Sequence, residues 1–157
     1  PKKLAKNNSP EIDTWKHAIK FLNKNKDINL IVSVPTTSPL RKVSDIDKCI
    51  YQAIKKKLDI VFTIANSIKN PYFNMVKIKN KKLSLVCALK TKVHRRQDAP
   101  KCFDLTTVCY VFRPNYIKKQ NNLFDGKTGF IRVPKIRATD IDDITDYKIA
   151  KLLAKAK

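Results

Sequence analysis

Glycine, acidic residues and long apolar runs are scarce in this chain, and each shortage excludes a class of protein. Only two of the 157 residues are glycine and eight are proline, which excludes collagen-like repeats and low-complexity chains. The longest apolar runs, such as residues 30–32 and 60–62, fall far short of the roughly 20 residues of a membrane-spanning helix. Because 43% of the residues are apolar, we predict a single folded domain over residues 1–157 with no membrane partner.

Cysteine and histidine are also few, and their spacing argues against a zinc centre and against nucleophilic catalysis. Cys49, Cys87, Cys102 and Cys109 form no C-x-x-C pair, and no histidine stands at zinc-site spacing from them. Neither of the two histidines can be assigned to a Ser-His-Asp or Cys-His arrangement. The pattern predicts buried free thiols, which are typical of a cytoplasmic protein.

The charge balance is the most extreme feature of the composition. Lysine and arginine total 34 against 13 acidic residues, giving a net charge of +21. Such a charge suits an anionic partner, whether nucleotide, sugar acid, nucleic acid or membrane surface. The alternative, which we favour for most of the lysines, is a solvated face. The six arginines are more informative because a guanidinium binds carboxylates and phosphates through two hydrogen bonds.

Apolar periodicity predicts alternating helices and strands in the first half of the chain. Helices are predicted from a cap at Asp13 to Asn25, and again from Ser44 or Asp45, with β-rich runs at residues 30–34 and 59–65. Strand, helix and strand with short connections is the βαβ pattern of a parallel sheet with helices on its faces. Residues 30–34 are therefore predicted to form a buried parallel strand.

The second half of the chain is richer in strand. Runs at residues 72–78 and 83–86 flank Asn80 and predict a hairpin, and further strands are predicted at 106–112 and 131–133. Asp143 is predicted to cap a final helix, whose inward-facing residues would be Ile149, Leu152 and Leu153. We therefore predict an α/β sheet that carries a β-rich arm over about residues 70–125.

A loop rich in hydroxyl groups follows the first predicted strand. Residues 35–41 read Pro-Thr-Thr-Ser-Pro-Leu-Arg, and ligands of open α/β sheets bind at the carboxyl ends of strands. The hydroxyls, the backbone N–H groups and Arg41 suit an anionic ligand. An ordinary turn followed by a helix cap explains the same residues equally well.

Residues 94–100, which read His-Arg-Arg-Gln-Asp-Ala-Pro, contain the adjacent pair Arg95 and Arg96. A guanidinium can hold a carboxylate by two parallel hydrogen bonds. A solvated basic loop is the alternative, and the residues taken by themselves favour it.

Asp140 and Asp142 form an acidic pair in this basic chain. Residues two apart in an extended segment point the same way, so both carboxylates can face one cation. Paired carboxylates with open water positions suit Mg²⁺ bound to nucleotide phosphates. Helix capping is the alternative, and it explains Asp143 well but Asp140 poorly.

Taken together and in this order, the segments resemble the acylneuraminate cytidylyltransferase (CMP-N-acetylneuraminic acid synthetase) family. The resemblance covers almost all of the chain, and its motifs are residues 4–5, 9–13, 17–18, 35–41, 45–47, 70–74, 95–100, 140–142 and 146–150. It implies a Rossmann-like nucleotidyltransferase fold, a three-layer sandwich with a mainly parallel sheet, in which residues 70–125 form the dimerisation and sugar-binding arm. The family's first βα unit, with its glycine-containing phosphate loop, has no counterpart, so we expect a chain that lacks its start.

The resemblance also implies a reaction. CMP passes from CTP to a 2-keto sugar acid (sialic, legionaminic or a related nonulosonic acid), pyrophosphate is released, and Mg²⁺ assists in a homodimeric enzyme of surface polysaccharide or glycan biosynthesis. By this resemblance Asp140 and Asp142 would hold the metal, and Arg96 would bind the carboxylate of the acid. The further substrate-binding residues would be Thr37, Ser38, Arg41, Arg95, Gln97 and Tyr110.

The chain departs from the family at two positions on the sugar side. Val34 stands where sialic acid-type members often carry glutamine, and Thr106-Thr107 stand where many carry Asn-Gly. These departures leave the identity of the sugar acid open. The missing start motivates a second hypothesis, a catalytically inactive fragment that only folds or dimerises. The net charge motivates a third, a basic nucleic-acid-binding module with steeply salt-dependent affinity, although no recognition motif predicts a specific nucleic acid.

Overall fold

The computed structural model describes residues 1–6, 8–22, 28–89, 91, 93–120 and 122–156. The helices are α1 Glu11–Leu22, α2 Val43–Lys55, α3 Pro114–Lys119 and α4 Ile144–Lys155. The strands are β1 Ile31–Ser33, β2 Ile60–Asn66, β3 Val76–Lys79, β4 Lys82–Leu85, β5 Phe103–Phe112 and β6 Thr128–Arg132. Short 3-10 turns span Lys2–Leu4, Arg96–Asp98 and Lys135–Ala138. The predicted end of the first helix at Asn25 lies outside the described residues.

Four strands form the main sheet in the order β1-β5-β2-β6. β5 runs antiparallel to both β1 and β2, whereas β2 and β6 are parallel. The mixed α/β class is confirmed. The prediction of a mainly parallel sheet is wrong, since two of the three neighbouring pairs are antiparallel, and β1 pairs with an antiparallel strand. The Rossmann-like arrangement stays a prediction.

The wrong strand direction has a physical reason, which lies in β5. Its side chains are buried on both faces: Cys109 and Val111 pack against α2, while Tyr110 and Phe112 pack against Trp15 of α1. A strand covered by helices on both faces gives a continuous apolar run whatever the direction of its neighbours. The apolar pattern of the sequence therefore predicted helices on both faces of the sheet, but it did not predict the direction of the strands.

The hairpin predicted around Asn80 is confirmed by β3 and β4, which pair antiparallel in a separate two-stranded sheet. Asn80 and Lys81 have φ values of 51° and 59°, as a tight two-residue hairpin turn requires. The buried Asn70 ties the base of this hairpin to the body, because its side-chain amide donates to the carbonyl of Pro100 at 2.8 Å. We call the stretch between β2 and β5 the arm. β5, inside the predicted arm of residues 70–125, lies in the main sheet.

The final helix begins as predicted but is less buried than predicted. The carboxylate of Asp143 accepts hydrogen bonds from the backbone N–H groups of Thr145 and Asp146 at 2.7 and 2.9 Å, so the predicted cap of α4 is confirmed. The predicted inward direction of Ile149 and Leu152 is wrong, because they are 46% and 69% exposed. This helix lies at the edge of the fold. Within the described ranges, no helix has the length and apolar character needed to cross a bilayer.

Candidate active-site cleft

The loop after β1 meets the segment that leads into α4. The backbone N–H of Ile141 donates to the carbonyl of Thr37 at 2.9 Å. Two segments that the sequence singled out, residues 35–41 and 140–142, are therefore neighbours in space. We call this region, made of residues 35–45 and 135–143, the junction.

A buried ion pair holds the junction together. Nε and Nη2 of Arg137 donate to Oδ2 and Oδ1 of Asp45 at 2.8 and 2.9 Å. Asp45 is 1% exposed, and its Oδ2 also accepts the backbone N–H of Lys42 at 3.1 Å, which caps the start of α2. A buried charge is tolerated when its hydrogen bonds are made in this way. Arg137 is absent from the residues predicted from the sequence, although it is one of only six arginines.

Asp140, on the same segment, is not paired in this way. Its Oδ1 atom is buried and accepts no hydrogen bond from the described residues. Burial lowers the pKa of Arg41, and the nearby charges of Cys109 and then Asp140 oppose that fall. Asp140 is therefore within electrostatic reach of Arg41, but the buried oxygen itself lacks a partner. Such an atom costs free energy unless a ligand supplies the missing interaction.

The pair Asp140 and Asp142 fits the donor chemistry of a hard cation. Asp142 is exposed, and its backbone N–H donates to the carboxylate of Asp146 at 3.2 Å. In the part of the chain that the structure describes, no group of three or more His, Cys, Asp or Glu side chains is arranged to hold an ion. Mg²⁺ commonly uses one or two carboxylates together with water and substrate phosphates. The buried, unpartnered oxygen of Asp140 and the nearby Asp142 are compatible with that pattern.

The loop of residues 35–41 is held by its own contacts. Ser38 is fully buried, and its Oγ lies 2.7 Å from Oγ1 of Thr107. Nη2 of Arg41 donates to the carbonyl of Pro35. Arg41 thus closes the loop through Nη2, and its buried Nε–H has no partner among the described residues. Thr37, in the same loop, is half-buried.

Thr107 reaches Ser38 because of an irregularity in β5. The register of β5 against β2 shifts after Phe62. The buried hydroxyl of Thr63 accepts a hydrogen bond from the hydroxyl of Thr106 at 2.7 Å at this point. Bulges of this kind redirect side chains and occur often beside active sites. In the sequence, the pair Thr106-Thr107 was notable only as a departure from the family pattern.

Tyr110 lies in the core on the other side of β5. Its side chain is 6% exposed and packs against Trp15, with ring centroids 5.1 Å apart. Burial raises the pKa of Tyr110 to about 12, and the charges of Glu11 and Asp140 contribute. The hydroxyl therefore stays protonated at neutral pH.

A cavity of about 570 Å³ opens beside the junction. Asp140 and Thr107 contribute polar atoms to its wall, and Ile149 and Leu153 of α4 form an apolar side. Its volume falls in the range of roughly 300–1,000 Å³ that is typical of small-molecule sites. Ile149 and Leu153 are only partly covered because they line this cavity.

The arginine pair predicted from the sequence lies in the arm, and its two members have different partners. Arg95 is 69% exposed and forms a two-bond pair with Asp98, at 2.8 and 3.0 Å. Nη2 of Arg96 donates to the carbonyls of Ser67 and Ile68 at 3.0 and 2.8 Å. Arg96 therefore ties the arm to the end of β2.

Arg96 and Gln97 line a second cavity, of about 340 Å³, on the far side of Asn66. Asn66 lines this cavity and also the cavity beside Asp140. Among the predicted site residues, Asp140 lines the first of these cavities, and Arg96 and Gln97 line the second. Thr37, Ser38, Arg41, Asp140 and Asp142 belong to the junction, and Arg96 and Gln97 belong to the arm side.

Comparison with known proteins supports the resemblance stated above. Post-translational flagellin modification protein B of Campylobacter coli is 28% identical over 127 residues, which are 81% of this chain and 53% of that protein. CMP-N,N'-diacetyllegionaminic acid synthase of Campylobacter jejuni is 34% identical over 97 residues, 62% of this chain and 40% of that protein. No family model matches the chain.

The chain spans about half the length of the curated relatives it matches. At modest identity and over part of each protein, the two relatives support a family like the CMP-sialic acid synthetases, as the ordered motifs predicted.

Proposed function

We propose that the protein containing this chain is a cytidylyltransferase that transfers CMP from CTP to a nonulosonic acid and releases pyrophosphate. The observation that carries the proposal is the junction, where Asp140 presents a buried, unpartnered carboxylate oxygen beside the loop that Arg41 closes. The identity of 34% to a CMP-N,N'-diacetyllegionaminic acid synthase supports it and favours a legionaminic-type acid.

In the proposed reaction, the anomeric hydroxyl of the acid attacks the α-phosphorus of CTP. The new oxygen–phosphorus bond forms, the α–β phosphoanhydride bond breaks, pyrophosphate leaves, and the hydroxyl proton is lost to water. Asp140 and Asp142 would hold Mg²⁺, which supplies charge neutralisation for the phosphates. The Nε–H of Arg41, which has no partner among the described residues, would be a further hydrogen-bond donor to an anionic group of the substrates.

Arg137 acts in this proposal as a positioning residue. Its pair with the buried Asp45 fixes the 3-10 turn Lys135–Ala138 against the start of α2. Asp140 lies two residues after the end of that turn, so the pair limits the positions that its carboxylate can take. Positioning of this kind is a large part of catalysis in group transfer, because a small misplacement costs rate steeply.

Arg96 is proposed to bind the carboxylate of the acid, with Gln97 and Arg95 close by. Arg96 lines the cavity next to the one that contains Asp140, which supports this role. Thr37, Ser38 and Tyr110 are proposed to shape the substrate pocket. Because Ser38 bonds Thr107 and Tyr110 is buried, both would act mainly by fixing neighbouring groups.

A homodimer joined through the arm is part of the proposal. Val76 and Ile78 of β3 pair with Leu85 and Leu83 of β4, so these four side chains share one face of the hairpin. They are 56%, 76%, 39% and 70% exposed. A two-stranded hairpin with an uncovered apolar face is at best marginally stable in water, and a second copy of the chain would cover that face.

We place the reaction in the cytoplasm and in the synthesis of surface glycans. All four cysteines are free thiols, as is usual in a reducing compartment. The name of the C. coli relative refers to flagellin modification, which supports a product that serves glycosylation of a surface structure.

The test is pyrophosphate release by the complete gene product that contains this chain. With CTP, Mg²⁺ and N,N'-diacetyllegionaminic acid we expect acid-dependent release, and we expect kcat to fall about 100-fold or more for Asp140→Asn. Asp125→Asn, at an exposed aspartate outside the junction and the motifs, is the control and should keep wild-type rates. Absence of release with this acid and with N-acetylneuraminic acid would contradict the function. A wild-type rate for Asp140→Asn would contradict the role of Asp140 alone.

A further inference from the structure

A strongly basic groove lies between the arm and the edge of the sheet. Two adjoining cavities, of about 340 and 550 Å³, share Asn66, Ser67, Arg96 and Arg132 in their walls. Among the described residues, no carboxylate lines either cavity. The cations that line them are Lys69, Arg96, Lys101, Arg132 and Lys135.

The Arg132 side chain stacks on an aromatic ring in the wall of this groove. Arg132 is the last residue of β6, and its guanidinium carbon lies 4.5 Å from the centre of the Phe103 ring. Stacking on an aromatic ring restricts a guanidinium but leaves its N–H donors free. Within the described part of the chain, the Arg132 side chain makes no hydrogen bond or ion pair. Arg96, by contrast, already uses Nη2 on two carbonyls.

The remaining wall of the groove suits a polar ring as well as a charge. Asn66 and Gln97, whose side chains end in amides, line the same cavity as the two arginines. Amide groups are suited to the hydroxyl and acylamino groups of a sugar, and a guanidinium fork is suited to a carboxylate. Asn66 and Lys135 line both this groove and the cavity that Asp140 lines, so the two spaces adjoin.

We propose that Arg132, held by Phe103, is a carboxylate-binding residue for the sugar acid, and that it acts with Arg96 in this groove. The proposal rests on the proposed function for the identity of the acid, but the groove itself is a feature of the described chain. It places the charged end of the acid beside Arg132 and the rest of the molecule towards the junction.

Binding to the complete gene product, measured without CTP and Mg²⁺, tests the groove without requiring catalysis. Isothermal titration would compare N,N'-diacetyllegionaminic acid with its methyl ester, which lacks the charge. We expect the acid to bind about tenfold or more tightly than the ester, and Arg132→Gln to lose about tenfold of the affinity for the acid while leaving the ester unchanged. Arg132→Lys should recover part of the loss, and Lys48→Gln, with the same charge change on the exposed surface of α2, should change nothing.

Several outcomes would overturn the proposal. They are no measurable binding of the acid, equal binding of acid and ester, an unchanged affinity in Arg132→Gln, or inorganic pyrophosphate displacing the acid with higher affinity. Far-ultraviolet circular dichroism and thermal unfolding of each variant establish that a loss of binding is not a loss of fold.

Steady-state kinetics of the complete gene product separates this inference from the proposed function. Arg132→Gln should raise KM for the acid about tenfold and leave KM for CTP unchanged. If the enzyme is active and Arg132→Gln does not change its KM for the acid, the inference is overturned and the function stays intact. Arg132-dependent binding of the acid without any CMP transfer would contradict the function and leave the groove intact.

Discussion

The body of the protein, which is the main sheet with the helices and turns packed around it, and the arm contain the same two kinds of interaction at opposite exposure. Each has an isoleucine in a strand, with Ile60 of β2 0% exposed and Ile78 of β3 76% exposed. Each also has a two-bond Arg–Asp pair of nearly equal geometry. The pair of Arg137 with Asp45 is 19% and 1% exposed, and that of Arg95 with Asp98 is 69% and 42% exposed.

Because the two ion pairs have nearly equal geometry, we expect burial to set the difference between their contributions to stability. A buried ion pair cannot lose one partner without leaving a desolvated charge, whereas water replaces a lost partner at the surface. The body should therefore lose more stability than the arm on equivalent substitutions.

The largest expected effect is on the buried ion pair. Arg137→Ala leaves Asp45 buried and without its cation, so we expect the free energy of unfolding to fall by about 3–5 kcal/mol. The matched variant Arg95→Ala should cost under about 1 kcal/mol because that pair is exposed. Urea denaturation of both variants measures the two losses in the free energy of unfolding, and equal losses would contradict the expected difference.

The two isoleucines provide the same contrast for apolar contacts. Ile60→Ala opens a cavity in the core and should lower the free energy of unfolding by about 2–5 kcal/mol. Ile78→Ala, studied at a protein concentration low enough to keep the chain monomeric, should change it by less than about 0.5 kcal/mol. A large loss for Ile78→Ala in the monomer would mean that the chain covers this face itself.

Substitutions in the arm, which should affect the free energy of unfolding little, should have the larger effect on self-association. Ile78→Asp puts a charge in the apolar face of the hairpin and should weaken self-association about tenfold or more, since that charge would be desolvated in the dimer. Ser84→Asp, on the opposite face of the same hairpin, is the control. Analytical ultracentrifugation of the two variants decides, and self-association that survives Ile78→Asp would exclude this face as the interface.

The smallest expected effect is on the dependence of stability on pH. Because burial raises the pKa of Tyr110 to about 12, above its ordinary value of about 10, the folded state holds this proton more tightly than the unfolded state. The contribution is complete below about pH 10 and is lost as the pH rises through about 12. Denaturation of Tyr110→Phe across that interval should show a shallower loss of stability than the wild type, and identical slopes would contradict the shift.

Much of the fold follows from local patterns. The cap at Asp143, the turn at Asn80 and the boundaries of β2 depend on residues close together in the chain, and all are predicted near their observed places. The direction of β5 is not a local property, because residues covered on both sides look alike in parallel and antiparallel strands. The exposure of Ile149 and Leu152 likewise depends on what packs against α4, which its own periodicity does not encode.

The candidate site divides in the same way. The sequence by itself singled out loop 35–41, Arg96 and the pair Asp140 and Asp142, since those residue types carry recognisable chemistry. The pairing of Asp45 with Arg137 joins positions 92 residues apart, and no spacing rule predicts it. The contact between Arg132 and Phe103 also depends on how the sheet places β5 and β6.

What the sequence determined by itself was therefore the set of elements and the types of chemistry available. Periodicity, caps and turn residues act within a few positions and are legible in the chain. What only the tertiary structure decided was the direction of β5, the exposure of the hairpin face and the partner of each charge. These depend on which distant surfaces exclude water from one another, and that exclusion separates the buried Asp45 pair from the free donors of Arg132.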